Sequence, residues 1–240
     1  MKITTVLFDL DGTLLPMDQD LFVKAYFGGI AKRLAPLGYE PKALIDAIWS
    51  GTAAMVKNNG SVSNERAFWN HFTSLFGEKA LDDMPEFDAF YRENFDEISK
   101  SCGYSPCAKQ VIDLLHRAGI RTVLATNPIF PAIATQKRMR WAGLSPEDFL
   151  LYTTYENSRY CKPNPAYYKD ILQTLGLSAE ECLMVGNDVE EDMIAQTLGM
   201  KVFLLTDCII NKKNLDISQY PHGGFDALTD HLTEMIASQS

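Results

Sequence analysis

The chain has no run of about twenty apolar residues, so no segment of it reads as a membrane span. Basic residues are in short supply, with 22 Lys and Arg against 31 Asp and Glu and a formal net charge of -9. A surface of that sign repels nucleic acid and anionic membranes, which removes both from the expected partners. It also means that any phosphate site must gather positive charge locally. Cysteine is sparse and odd in number: Cys102, Cys107, Cys161, Cys182 and Cys208. That count argues against a disulfide framework, and no spacing among the five matches a zinc pattern, so they read as reduced thiols of a cytoplasmic protein. The four histidines, His71, His116, His222 and His231, are scattered, and they read as structural or surface residues. A glycine-rich loop after the first apolar segment is missing, which disfavours a plain nucleotide-binding domain. The apolar stretch of residues 3–8 is too short for a secretion signal and stops at Asp9.

What is present is an α/β rhythm. Residues 3–8 are apolar or β-branched and end at a carboxylate, the pattern of a buried parallel strand. After about residue 105 one unit recurs, a helix closed by glycine and then a short apolar strand. Gly119 precedes a strand at 120–125, Gly176 a strand at 182–185, and Gly199, closing a helix near 189–198, the last clear strand at 202–205. Residues 150–153 read as a weaker strand, and 225–236 as a final helix. Such alternation predicts a doubly wound parallel sheet covered on both faces. Residues 18–100 break the rhythm with four helical stretches and no strand. Their apolar positions (Leu21, Phe22, Ala25 and Tyr26; Leu44, Ile45, Ile48 and Trp49; Phe68, Trp69, Phe72 and Phe76; Phe87, Phe90 and Tyr91) have helical spacing and read as packing between helices. The expected organisation is a core of residues 1–17 and 101–240 with a helical cap domain at 18–100 inserted after the first strand.

Four short motifs fall at strand ends, where parallel sheets bind ligands. Asp9-Leu10-Asp11-Gly12-Thr13 follows the first strand; two acids two apart address one face, and Gly12 permits the tight turn. Thr126-Asn127 ends the second, offering a hydroxyl and backbone N–H groups to phosphate oxygens. Lys162-Pro163 precedes a helix and offers a cation. Gly186-Asn187-Asp188-Val189-Glu190-Glu191-Asp192 follows the next strand. Asp188 and Asp192 are spaced as if one helical turn apart, suited to a hard cation such as Mg2+, and Glu190 and Glu191 read as a favourable acidic helix start. Taken singly, each motif is also an ordinary turn, cap or surface charge.

Taken together and in this order, they resemble the haloacid dehalogenase superfamily, over nearly the whole chain. The resemblance implies a Rossmann-like core with an inserted helical cap, and a magnesium-dependent phosphohydrolase working through an aspartyl-phosphate. Asp9 would be the nucleophile, Asp11 the general acid and base, and Thr126, Asn127 and Lys162 the phosphate ligands. Metal binding would fall to Asp9, Asp11, Asp188 and Asp192, with Asn187 left without a role where many members place an acid. The charges of Asp9, Asp188 and Asp192 would be balanced by Lys162 and one Mg2+, admitting a phosphate dianion. A small phosphorylated substrate is expected, with sugar phosphates, nucleotides, phosphoglycolate and other phosphorylated acids all open. A phosphomutase would use the same residues. A dehalogenase would need neither metal nor general acid, and a non-catalytic binding protein would be expected to have lost one of these residues. Oligomeric state is not legible.

Overall fold

The structure, a computed structural model, describes residues 2–239. Five parallel strands form one sheet in the order β2-β1-β3-β4-β5: β1 Thr5–Phe8, β2 Arg121–Leu124, β3 Cys182–Gly186, β4 Lys201–Leu205 and β5 His222–Gly223. Strand β1 lies between β2 and β3, with Thr5 opposite both Arg121 and Cys182. The strands are almost wholly buried because both faces are covered, which is why they read as continuous apolar runs. Alternation still sorts the side chains. Val6, Phe8, Leu124, Val185 and Phe203 face one hydrophobic core, while Leu7, Val123, Met184 and Leu204 face another. Helices α6 (Pro106–Arg117) and α9 (Phe225–Ala237) pack in the first core. Helix α8 (Pro165–Leu175) packs in the second through Tyr167, Tyr168, Ile171 and Leu172.

Between β1 and β2 the described chain is helical apart from turns. It leaves at Met17 and returns at Cys102, and those two residues form an antiparallel bridge. Helices α1 (Gln19–Leu34), α2 (Pro41–Val56) and α3 (Asn64–Phe76) are capped by Asp18, Glu40 and Ser63, whose side chains accept N–H groups of the first turn. Short α4 (Lys79–Asp82) and α5 (Met84–Ala89) follow, and then π and 3-10 turns to Ser101. The aromatic rings of this insertion join the first core of the sheet, so insertion and sheet share one apolar interior. Asn64 ties them further. Fully buried, its Nδ2 reaches Pro128 O, Tyr160 O and Cys161 Sγ, and its Oδ1 accepts from Asn58.

Several expectations are corrected. The stretch before Gly199 is a 3-10 segment, Met193–Leu198, and not an α-helix. Residues 150–153 supply one isolated bridge, Leu124 to Tyr152, in place of a strand. Leu21 and Trp49, expected in the core, are 56% and 51% exposed. Helix α7 (Ala132–Trp141), by contrast, has no amphipathic pattern to announce it, because it buries Lys137 and Arg138. Each is compensated by an acid: Lys137 meets Asp96 and Arg138 meets Asp11. All five cysteines are free thiols, and no helix among the described residues is long and apolar enough to cross a membrane.

Candidate active site

The carboxyl ends of β1, β2 and β3 converge on one cavity, as the parallel topology requires. Asp9 follows β1, held by its N–H to Val185 O at 2.9 Å. Its Oδ1 accepts from Lys162 Nζ at 2.9 Å, and its Oδ2 from the Thr13 hydroxyl at 3.2 Å. Lys162, 1% exposed, also contacts Asp192 Oδ1 at 2.6 Å. Burial alone would strip its proton, but Asp192 and Asp9 outweigh that and hold its pKa well above the lysine value. Lys162 is therefore a fixed positive charge in an acidic protein, and its peptide to Pro163 is cis. Burial pushes the Asp192 carboxyl up, with Lys162 drawing it back.

Asp11 is placed differently from Asp9. Its Oδ2 is engaged by the guanidinium of Arg138, and its Oδ1 meets no hydrogen-bond partner. Burial raises its pKa, opposed by Arg138. Arg138 itself stacks 4.5 Å from the Phe130 ring centroid.

The segment after β3 differs from its expected geometry. Asp188 and Asp192 do not share a helix face. Asp188 Oδ1 accepts the N–H groups of Glu190 and Glu191, forming a turn, and Asp192 Oδ2 accepts the N–H of Asp188. Asn187 is the residue that turns toward Asp9: its Oδ1 lies 3.1 Å from the Thr13 hydroxyl, and its Nδ2 donates to Cys208 O at 2.7 Å. Gly12, at φ 84°, makes room for it, since a Cβ there would stand 2.3 Å from the Asn187 amide. Glu191, expected to serve the helix dipole, is instead half-buried against Asn127, and that burial pushes its pKa up to about 8.

Thr126 lines the cavity and is 2% exposed. Asn127 is spent at both ends, Oδ1 on the Lys162 N–H and Nδ2 on Glu191 Oε2. It therefore positions those two residues. Among the described residues no three of His, Cys, Asp or Glu converge in a manner that would hold a metal ion. The Thr13 hydroxyl lies between Asp9 Oδ2, at 3.2 Å, and Asn187 Oδ1, at 3.1 Å, an amide oxygen that a search for acids misses. Sequence reading passed over Arg138, left Asn187 without a role and gave Glu191 to the helix dipole. The family's acid at the position of Asn187 was the one hint, and nothing local pointed to Arg138.

This arrangement has known counterparts. A profile of haloacid dehalogenase-like hydrolases matches residues 3–195, and one described as HAD-hydrolase-like matches 159–234. The phosphoglycolate phosphatase of Vibrio cholerae serotype O1 is 30% identical over 212 residues, 85% of this chain and 85% of that protein. The N-acetylmuramic acid 6-phosphate phosphatase of Pseudomonas aeruginosa is 22% identical over 240 residues, 98% of this chain and 94% of its own. A solved 2-haloacid dehalogenase from Pseudomonas syringae pv. Tomato aligns with a TM-score of 0.65 at 19% identity, covering 99% of this chain and 100% of that one. At that identity the likeness speaks for the fold alone. The chain belongs to the haloacid dehalogenase-like hydrolase family.

Proposed function

We propose that this hydrolase is a phosphatase that cleaves a small phosphate monoester in two steps, with Asp9 as the nucleophile. The observation that carries the reading is the buried Lys162 bridging Asp9 and Asp192, both of which line the cavity. That lysine orients the Asp9 carboxylate and offsets the charge of an incoming phosphate in a low-dielectric setting. Asp9 attacks phosphorus and becomes an aspartyl-phosphate while the alcohol leaves. Asp11, two residues on and lining the same cavity, gives the leaving oxygen its proton and later takes one from water. Thr126 and Lys162 hold the phosphate oxygens, and Asn127 keeps Lys162 in place.

The family implies Mg2+, and the donor chemistry here fits it. Asp9 Oδ2 and Asn187 Oδ1 both face the single hydroxyl hydrogen of Thr13, which cannot serve both. Two oxygen donors and open coordination suit Mg2+, which keeps several waters and needs no dedicated cage. Bound beside Asp9 and Asn187, the ion would neutralise charge on the phosphate. In this reading Asp188 shapes the turn that presents Asn187, and Asp192 anchors Lys162. The expected metal set of Asp9, Asp11, Asp188 and Asp192 thereby narrows to Asp9 with Asn187 added.

Residues 18–100 act as the cap and the remainder as the catalytic core; the Met17 to Cys102 bridge at the junction supports those bounds. Free thiols and the acidic surface agree with a cytoplasmic enzyme without nucleic-acid partners. The test is phosphate release by the purified protein with Mg2+ from a panel of phosphomonoesters, beside chloride release from a 2-chloro acid. Chloride without phosphate would make it a dehalogenase; phosphoryl transfer without phosphate release would make it a mutase.

A further inference from the structure

The half of the cavity away from Asp9 has a character that catalysis does not require. The whole cavity has a volume of about 350 Å³, in the range of small-molecule sites. Five phenylalanines, three tyrosines and two tryptophans line it, mostly from the insertion, with Val23, Ile30 and Ile48 between them. Lys212 is the one cation on this wall among the described residues, and it lies exposed at the rim. The acids of the cavity lining are Asp9, Asp11, Asp188, Glu191 and Asp192, at the catalytic end, and the exposed Asp88. The buried cation beside Phe130, Arg138, is engaged by Asp11, and the Tyr26 and Tyr91 hydroxyls are paired with each other, so little polar capacity is left over for a substrate carboxylate or a sugar's hydroxyls. Trp69, 7% exposed, has its indole N–H beside the Tyr155 hydroxyl, whose pKa burial raises and Trp69 draws back.

We infer that the alcohol half of the substrate is an uncharged, ring-bearing and largely apolar group, an aryl or arylmethyl alcohol. This rests on the phosphatase reading and names its substrate class. Rings stack or meet edge-on with aromatic walls, and each buried ring adds the transfer free energy of its apolar surface. Trp49 sits at the mouth, 51% exposed and 5.2 Å from the Phe27 ring, so an entering ring would cover it.

Two measurements separate this inference from the reading it rests on. The first is kcat/KM with Mg2+ on benzyl phosphate, phosphoglycolate and glucose 6-phosphate, whose leaving groups are all alkoxides. Benzyl phosphate should lead by about tenfold or more, the factor expected from burying one ring. Phosphoglycolate or glucose 6-phosphate matching it would overturn the inference while leaving the phosphatase intact. The second needs no turnover. Benzylphosphonate should quench tryptophan fluorescence with a Kd about tenfold or more below that of methylphosphonate. In Trp49→Ala that ratio should shrink several-fold, and an equal ratio in wild type would overturn the inference. If no phosphate is released from any ester while benzylphosphonate still binds preferentially, the apolar-ring site stands and the phosphatase reading falls.

Discussion

Arg138 and Asp11 form an ion pair in which the guanidinium engages one carboxylate oxygen while the other oxygen, Oδ1, stays without a partner. Burial raises the Asp11 pKa, and Arg138 opposes it by favouring the ionised form, the form that can take a proton from water but cannot give one to a leaving alcohol. Arg138→Met should therefore leave phosphorylation of Asp9 within about threefold and slow loss of the phosphoryl group by about tenfold or more. With nitrophenyl phosphate this appears as a burst of nitrophenolate before slow turnover. Equal slowing of both steps, with the melting temperature preserved, would reduce Arg138 to a packing residue.

Asp9→Asn should lower turnover by about a thousandfold or more, because the amide cannot form the aspartyl-phosphate. The amide keeps the size of the side chain and its acceptor for Lys162, so circular dichroism and melting should change little. Activity above about a tenth of wild type would remove Asp9 from the nucleophile's role.

Calorimetric titration with Mg2+ distinguishes Asn187 from Asp188. Asn187→Ala should weaken binding by about tenfold or more. Asp188→Asn should weaken it less, since an amide oxygen can still accept the N–H groups of Glu190 and Glu191. The reverse order would restore the acidic register expected from sequence.

His231 lends itself to a pH test of stability. Its ring lies 5.2 Å from that of Phe203, and burial lowers its pKa below 6.5. The folded state then holds fewer protons than the unfolded chain just below pH 6.5, so stability is full above that pH and declines as pH falls through it. His231→Phe should flatten the decline in melting temperature between pH 7 and pH 5. Parallel curves for the two proteins would show that His231 is not the group responsible.

Asn64→Leu should cost about 2–4 kcal/mol, measured by urea unfolding, because Asn58 loses an acceptor and Pro128 O and Tyr160 O lose a donor. A loss under about 0.5 kcal/mol would mean that insertion and core are held by apolar contact alone.

The strands that carry the site were legible because parallel strands buried on both faces leave unbroken apolar runs, and Asp9 and Thr126 end theirs. Helix α7 was not, because its buried face is cationic and depends on Asp96 and Asp11, distant in sequence. The turn of Asn187 toward Thr13 and of Asp188 toward the N–H groups of Glu190 and Glu191 was hidden for a related reason. A four-residue spacing implies a shared helix face only where a helix forms, and here Asp188 caps a turn. Exposure of Trp49 is equally invisible to periodicity, which marks a face without saying whether a cavity lies behind it.

The position of β1 between β2 and β3 also sets an order of events during synthesis. Its first register partners are Arg121 and Cys182, so the strand emerges well before either neighbour exists. The helical insertion comes next, rich in local contacts that can form without the sheet. We expect the insertion to collapse first on the ribosome while the Thr5–Phe8 strand waits unpaired, and Asp9 to reach its place only after the segment carrying Lys162 and β3 has been made. Arrested nascent chains ending before and after residue 186 should differ in protease resistance at β1 far more than within α1–α3.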